Sequence, residues 1–195
     1  IALTEVKFDG GNGLTTLTPS VSAPAMTLVG SKPTLTLADV DTALVNGQVR
    51  VVDVTVAADA KGDIKLGSLP ITITSTNGVS IATGTNNIIV KDVNGTTIPT
   101  TNASFGVSAG GSGNGTIVFG TTTAAAYQIP AGTSVTFQIF VTATGVAGTD
   151  DALTTGLGAA ASFQWFDVAG SNTTAIDGSQ IFNYPTNTSG ISNNN

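Results

Sequence analysis

Residues 50–56, Arg-Val-Val-Asp-Val-Thr-Val, and residues 135–141, Val-Thr-Phe-Gln-Ile-Phe-Val, decide the fold class. In the first stretch Val52, Val54 and Val56 share one face of an extended chain, and Asp53 and Thr55 share the other. In the second, every odd position is apolar. Side chains alternate across a strand with a period of two, whereas an amphipathic helix repeats its apolar residues three and four apart. Both stretches therefore read as half-buried strands, and 135–141 as the central strand of a sheet.

The same period recurs outward from these two, at 34–37, 64–66, 69–74 (Leu69, Ile71 and Ile73 inward), 88–90, 105–107, 117–119 and 163–165. The separators carry turn chemistry. Lys61-Gly62-Asp63, Asn77-Gly78, Asn94-Gly95 and Asn114-Gly115 can supply positive φ, and Ile129-Pro130-Ala131-Gly132 sets Pro second and Gly fourth in a type I turn. The Gly-rich run at 108–116 reads as a flexible hairpin end. Short strands between such turns predict an all-β fold, an antiparallel β-sandwich. Helix is confined to single turns at 39–44, with Asp39 as N-cap, and at 121–127 around Ala124-Ala125-Ala126.

Composition agrees and excludes much chemistry. The 195 residues are 41% hydrophobic and 9% charged, with 33 Thr, 24 Gly and 15 Ser, which favours strands and turns and argues against a disordered tail. There is no His and no Cys, hence no Ser-His-Asp or Cys-His arrangement, no usual zinc site and no disulfide. All six basic residues lie in the first 91 positions and the formal charge is −6, so a basic stripe for nucleic acid cannot be built. No apolar run reaches the ~18–20 residues a membrane-spanning helix needs. A start at Ile1 without a signal-like run fits a chain whose leader has been removed, and equally a trimmed chain. Low Lys and Glu with abundant Thr, Ser, Asn and Gly suits an extracellular, cell-surface role. No enzymatic motif is present, and the Gly-rich run lacks the Lys of a phosphate loop.

Three regions follow. Residues 1–23 form an N-terminal arm and linker, in which 1–9 read as an isolated strand before an extended connector. Residues 24–169 form the sandwich. Residues 170–195 are loop-rich with at most one terminal strand.

Three stretches carry a resemblance: VRVVDVTVAADAKGDIKLGSLPITIT (49–74), YQIPAGTSVTFQIFVTAT (127–144) and SFQWFDVAG (162–170). With these, residues 22–167 resemble the immunoglobulin-like or cohesin-like modules of secreted bacterial and archaeal surface proteins. The resemblance implies an immunoglobulin-like sandwich and a role in S-layers, pili, stalks or adhesins. The Cys pair of antibody domains is absent, so Trp165 is not the tryptophan that packs on a disulfide.

The functional expectation is a structural subunit of an extracellular filament, pilus-like, or of a surface layer, polymerising with copies of itself by β-strand exchange. The donor candidate is residues 1–9, with Val6 and Phe8 on one face and Ile1 and Leu3 on the other; the alternative is that this strand completes its own sheet. The second reading is an adhesin or carbohydrate-binding module recognising surface glycans through Trp165, Phe166, Tyr127 or Tyr184, with burial as the competing role for Trp165.

Calcium is the one cofactor suggested, through the oxygens of Asp39 with Asp41 and Asp150 with Asp151, while Lys61 and Lys65 weigh against the pair Asp59 and Asp63. N-glycosylation sequons stand at Asn94, Asn102, Asn114, Asn172 and Asn187, about the number chance provides. Lys7, Lys65 and Lys91 are conceivable donors for a self-formed isopeptide bond, against the ordinary role of a surface lysine.

Overall fold

The computed structural model describes residues 2–3, 6–9, 14–17, 21–22, 28–84, 87–103, 105–168, 170, 173–181 and 183–193. In chain order the strands are β1 (Ala2–Leu3), β2 (Val6–Asp9), β3 (Leu14–Leu17), β4 (Val21–Ser22), β5 (Pro33–Ala38), β6 (Gly47–Ala58), β7 (Ile64–Ser75), β8 (Ser80–Ile81), β9 (Ile88–Lys91), β10 (Ser112–Val118), β11 (Tyr127–Ile129), β12 (Ser134–Thr144), β13 (Ala152–Leu157), β14 (Gln164–Asp167), β15 (Ile176–Asp177) and β16 (Thr188–Ser192). Two 3-10 turns, Ala160–Ser162 and Gly178–Gln180, are the only helical pieces among the described residues.

Two antiparallel sheets pack face to face. β12 is central in the first, ordered β5-β6-β12 with β8 and β9 both beside β12. β7 is the axis of the second: β13 and β14 lie along one of its edges, β10 and β11 along the other, with β16 outside β13 and β15 outside β14. Every pairing is antiparallel. Val52, Val54, Val56, Phe137, Ile139 and Val141 from the first sheet meet Leu66, Leu69, Ile71, Ile73, Leu153 and Trp165 in one core. Burying each such side chain is worth roughly 1.5–3 kcal/mol, which is what holds the layers together.

Two β-bulges reconcile apolar runs whose parity changes. The buried positions switch from odd to even at Val51-Val52, where Ile139 pairs Val52 but Phe140 pairs Arg50, leaving Val51 as the extra residue. In β7 the switch runs from Ile64 and Leu66 to Leu69, Ile71 and Ile73, with Gly67 skipped between Gln164↔Ser68 and Trp165↔Leu66. A bulge adds one residue to one strand and restores the inward face beyond it. The sequence pattern predicts two strands at 64–66 and 69–74; the bulge makes them one.

Several local expectations are corrected. Asn114-Gly115 is not a turn, and of 108–116 only 108–111 make one, closed by the Gly111 N–H on the Ser108 carbonyl, because β10 from Ser112 on pairs with β7 along its whole length. Its glycines serve close approach: a Cβ on Gly113 would lie 2.5 Å from the Gly106 carbonyl, and one on Gly115 would lie 2.7 Å from the Phe105 Cβ. Residues 39–44 form no helix, since Val40 and Leu44 turn inward as the chain crosses between the sheets. Residues 122–126 make a single hydrogen-bonded turn, with the Ala126 N–H donating to the Thr122 carbonyl. Residues 105–107 make only an isolated bridge, Ile81↔Val107.

The N-terminal residues are neither an isolated strand nor an extended connector. β1 pairs with β4 and β2 with β3, so the arm doubles back on itself. Among the described residues, neither ribbon joins either sheet of the sandwich. No helix among the described residues is long and apolar enough to cross a membrane.

Candidate functional site

The two sides of the sandwich are finished differently. On the side of β8, β9 and β10 the segment 97–107 laces the sheets together. The Ile98 N–H donates to the Val90 carbonyl (2.8 Å), the Ile88 N–H to the Ala103 carbonyl (3.0 Å), the Thr101 N–H to the Val118 carbonyl (2.7 Å) and the Val107 N–H to the Ile81 carbonyl (2.9 Å).

The opposite side carries β5 and β16 and is closed at points only. The Leu44 N–H donates to the Ser192 carbonyl (3.0 Å), and the Asn187 side-chain amide donates to the Leu37 carbonyl (3.2 Å). Alternate residues of a strand aim their backbone groups to opposite edges. The Ala58 N–H turns to Thr133 and the Leu37 carbonyl to Asn187, so Pro33, Leu35 and Leu37 aim their backbone outward, while Thr34, Thr36 and Ala38 face β6. Among the described residues the Leu35 backbone meets no partner on that edge. A groove of about 220 Å³ runs along it, lined by Lys32, Pro33, Thr34, Leu35, Ile181 and Asn183.

The arm enters the body on this same side. Asp167, at the end of β14 and fully buried, accepts from the Gly30 N–H (2.7 Å) and the Ser31 N–H (3.2 Å). Gly170 permits this, since a Cβ there would lie 2.2 Å from the Asp167 Oδ2. Just before this anchor Leu28 is 97% exposed. Of the donor candidates, Leu3 lies in β1, Val6 and Phe8 in β2, and Ile1 lies outside the described residues.

The aromatic candidates are divided. Trp165 is buried, as is Phe166, so neither offers a face to a sugar. Tyr184 is half-buried against Phe163, and burial pushes its phenol up to about 12. Tyr127 packs edge-on against Phe137 and beside Phe119, and it lines a groove of about 470 Å³ with Pro99, Thr100, Thr101 and Gln128. A second trough, of about 510 Å³, has Pro70, Ile71, Gly115 and Gly158 among its lining residues and Asn102, Asn114, Thr116 and Ser162 as its polar groups.

Of the acidic pairs, Asp59, Asp63 and Asp151 accept from the backbone. Asp151 is buried and its Oδ2 accepts from the Ala147 N–H (2.7 Å) and the Gly148 N–H (2.8 Å). The Gly148 and Ala147 amides, in that order, hold its carboxyl below the usual carboxylate range. Asp59 accepts from the Lys61 N–H, and Asp63 from Ala131 and Gln128. Asp39, Asp41 and Asp150 are exposed, and no group of three or more metal-ligating side chains occurs among the described residues.

Asn94, Asn102, Asn114 and Asn187 are exposed, with Asn114 accepting from the Thr72 hydroxyl; Asn172 lies outside the described residues. Lys65 donates to the Thr123 carbonyl (2.8 Å), and the Lys91 ammonium sits 4.7 Å from the centre of the Phe140 ring. The Lys7 side chain lies outside the description.

No protein-family model, curated protein or solved structure is similar to this chain.

The sequence missed the difference between the two sides. The lacing segment 97–107 has little alternation, and the buried Asp167 reads as an ordinary strand-end residue; its position three before the Gly-, Asn- and Thr-containing 170–174 carries no signal of its distant partners.

Proposed function

We propose that the chain is a non-enzymatic structural subunit of an extracellular filament or surface layer, assembling with copies of itself through its N-terminal arm. The observation that carries this reading is the arm's pairing: among the described residues, β1–β4 and β2–β3 form ribbons that hydrogen-bond into neither sheet. A two-stranded ribbon alone in water is marginally stable and needs a third strand or a packed face. The scarcity of charge, the absence of His and Cys and the resemblance to immunoglobulin-like or cohesin-like surface modules support the same role. Because the ribbon is already paired, the addition is of a whole hairpin edge, and no strand need be exchanged. The contact is heterologous, so it propagates into a chain or lattice unless its rotation happens to close a ring. Removal of residues 1–22 is the test: the truncated protein is expected to remain monomeric by light scattering where the full chain polymerises. Unchanged polymers in electron micrographs would refute it.

A second reading, an adhesin or carbohydrate-binding module, is favoured by one observation, the half-exposed Tyr127 ring in a groove that also holds Pro99, Thr100, Thr101 and Gln128. Aromatic faces and hydroxyl groups suit sugar stacking. Binding to a glycan panel, lost in Tyr127→Ala, would establish it; a panel without binding would end it.

A further inference from the structure

The geometry points to the outer edge of β5, with the groove between it and Ile181 and Asn183, as the acceptor for the arm ribbon of a second copy. This rests on the assembly reading above and names its receiving surface.

Four observations converge. First, β5 is an edge strand that leaves an outward backbone position unpaired among the described residues, at Leu35; on the other side 97–107 covers β9 and the Val118 end of β10, while Asn114 and Thr116 of β10 also aim outward. Second, β5 is Pro-Thr-Leu-Thr-Leu-Ala, uncharged and β-prone, and Thr34 and Thr36 are exposed. Natural edges are commonly guarded by lysines, bulges or covering loops, and a bare one invites another strand. Here the guards sit at the two ends, Lys32 and Pro33 at one and the Asn187 amide on the Leu37 carbonyl at the other. Third, the groove already has a far wall, Ile181 and Asn183, against which side chains of an incoming strand can pack.

Fourth, among the described residues two of the three exposed large apolar side chains, Leu28 and Val45, lie on this side, Leu28 beside the Asp167 anchor and Val45 next to the residue that bonds Ser192. Leu28 keeps 97% of its surface in water with its own arm present. The described part of the chain's own arm therefore does not cover Leu28, and the occupant is another copy. Among the described residues each ribbon strand has one edge free, so β2 can add to β5 with its pairing to β3 intact. The first sheet then gains two strands from the neighbour.

The chain has no cysteine, which makes a cross-linking test clean. Chains carrying Lys7→Cys are mixed with chains carrying Thr36→Cys under assembling conditions and treated with a short bis-maleimide. A dimer is expected from the mixture and from neither variant alone. Ser112→Cys, exposed on the far edge at β10, is expected to give none. Equal or greater coupling to Ser112→Cys overturns the assignment, and so does efficient cross-linking inside one chain in a dilute Lys7→Cys, Thr36→Cys double variant. Failure of the acceptor and failure of the assembly reading separate: if the arm-truncated chain stays monomeric while Thr36→Cys does not couple, only the acceptor falls. If truncation changes nothing, both fall.

Discussion

Asp167 offers the sharpest energetic test of the fold. Its carboxylate is fully buried, and its two oxygens accept from the backbone of Gly30 and Ser31 at 2.7 and 3.2 Å, across 137 and 136 residues of sequence. Asp167→Asn preserves shape, but its NH2 must face one of these N–H groups, so one bond is lost and two donors oppose each other. A hydrogen bond to a charged acceptor is worth about 1.5–3 kcal/mol, and a buried donor left unmade costs about 1–3 kcal/mol. The gain from no longer burying a charge offsets part of that sum. The expected net loss is about 2–3 kcal/mol, which for a domain of this size lowers Tm by about 4–12 °C. Differential scanning calorimetry of the parent and Asp167→Asn at neutral pH measures it. A variant melting within about one degree of the parent would show that the anchor is not a structural element, since a loss of even 1 kcal/mol moves Tm by more.

Ser189→Ala removes the donor that caps the bulge carbonyl of Val51 at 3.0 Å, and urea unfolding is expected to show a loss of about 1–3 kcal/mol. Thr155 is buried with its hydroxyl unpartnered, so Thr155→Val is expected to raise the urea midpoint by an amount on the order of 1 kcal/mol; a lowered midpoint would mean the hydroxyl has a partner. Tyr184 is one of two tyrosines, and in Tyr127→Phe its tyrosinate absorbance should appear with a midpoint of about 12. Because the folded value lies above the unfolded value of 10.0, the stability linked to Tyr184 is intact below pH 10 and is lost as pH rises toward about 12.

The sandwich was legible because period two is a strong signal wherever one face is buried. Val52, Val54, Val56, Phe137, Ile139 and Val141 are all buried as the alternation requires. Burial of Trp165 followed from its alternation with Phe163. Misreadings came where a residue's role depends on what lies across from it. Gly113 and Gly115 look like turn residues, yet they sit in a strand because Phe105, Gly106 and Val107 press on them. The parity break at Gly67 looks like a strand end until β14 is placed beside it. Asp150 and Asp151 look alike as neighbouring acids, yet Asp151 is buried with its Oδ2 held by amides three and four residues earlier while Asp150 is exposed. The arm's self-pairing escaped notice because Leu14–Leu17 and Val21–Ser22 are too short to show a period, and the sugar-platform role of Trp165 and Phe166 fails because both rings are inside.

The clasp between Gly30 and Asp167, the bond from Ser189 to Val51 and that from Asn187 to Leu37 join positions 137, 138 and 150 apart in the chain. Such closures cannot form until both partners exist and have searched a large conformational space, so maturation should be slow for a domain of this size. During that wait the Val- and Ile-rich strands lie unprotected, and crowding nascent molecules together invites clumping. Fragments ending before residue 160 lack one half of all three clasps and should never reach the native state.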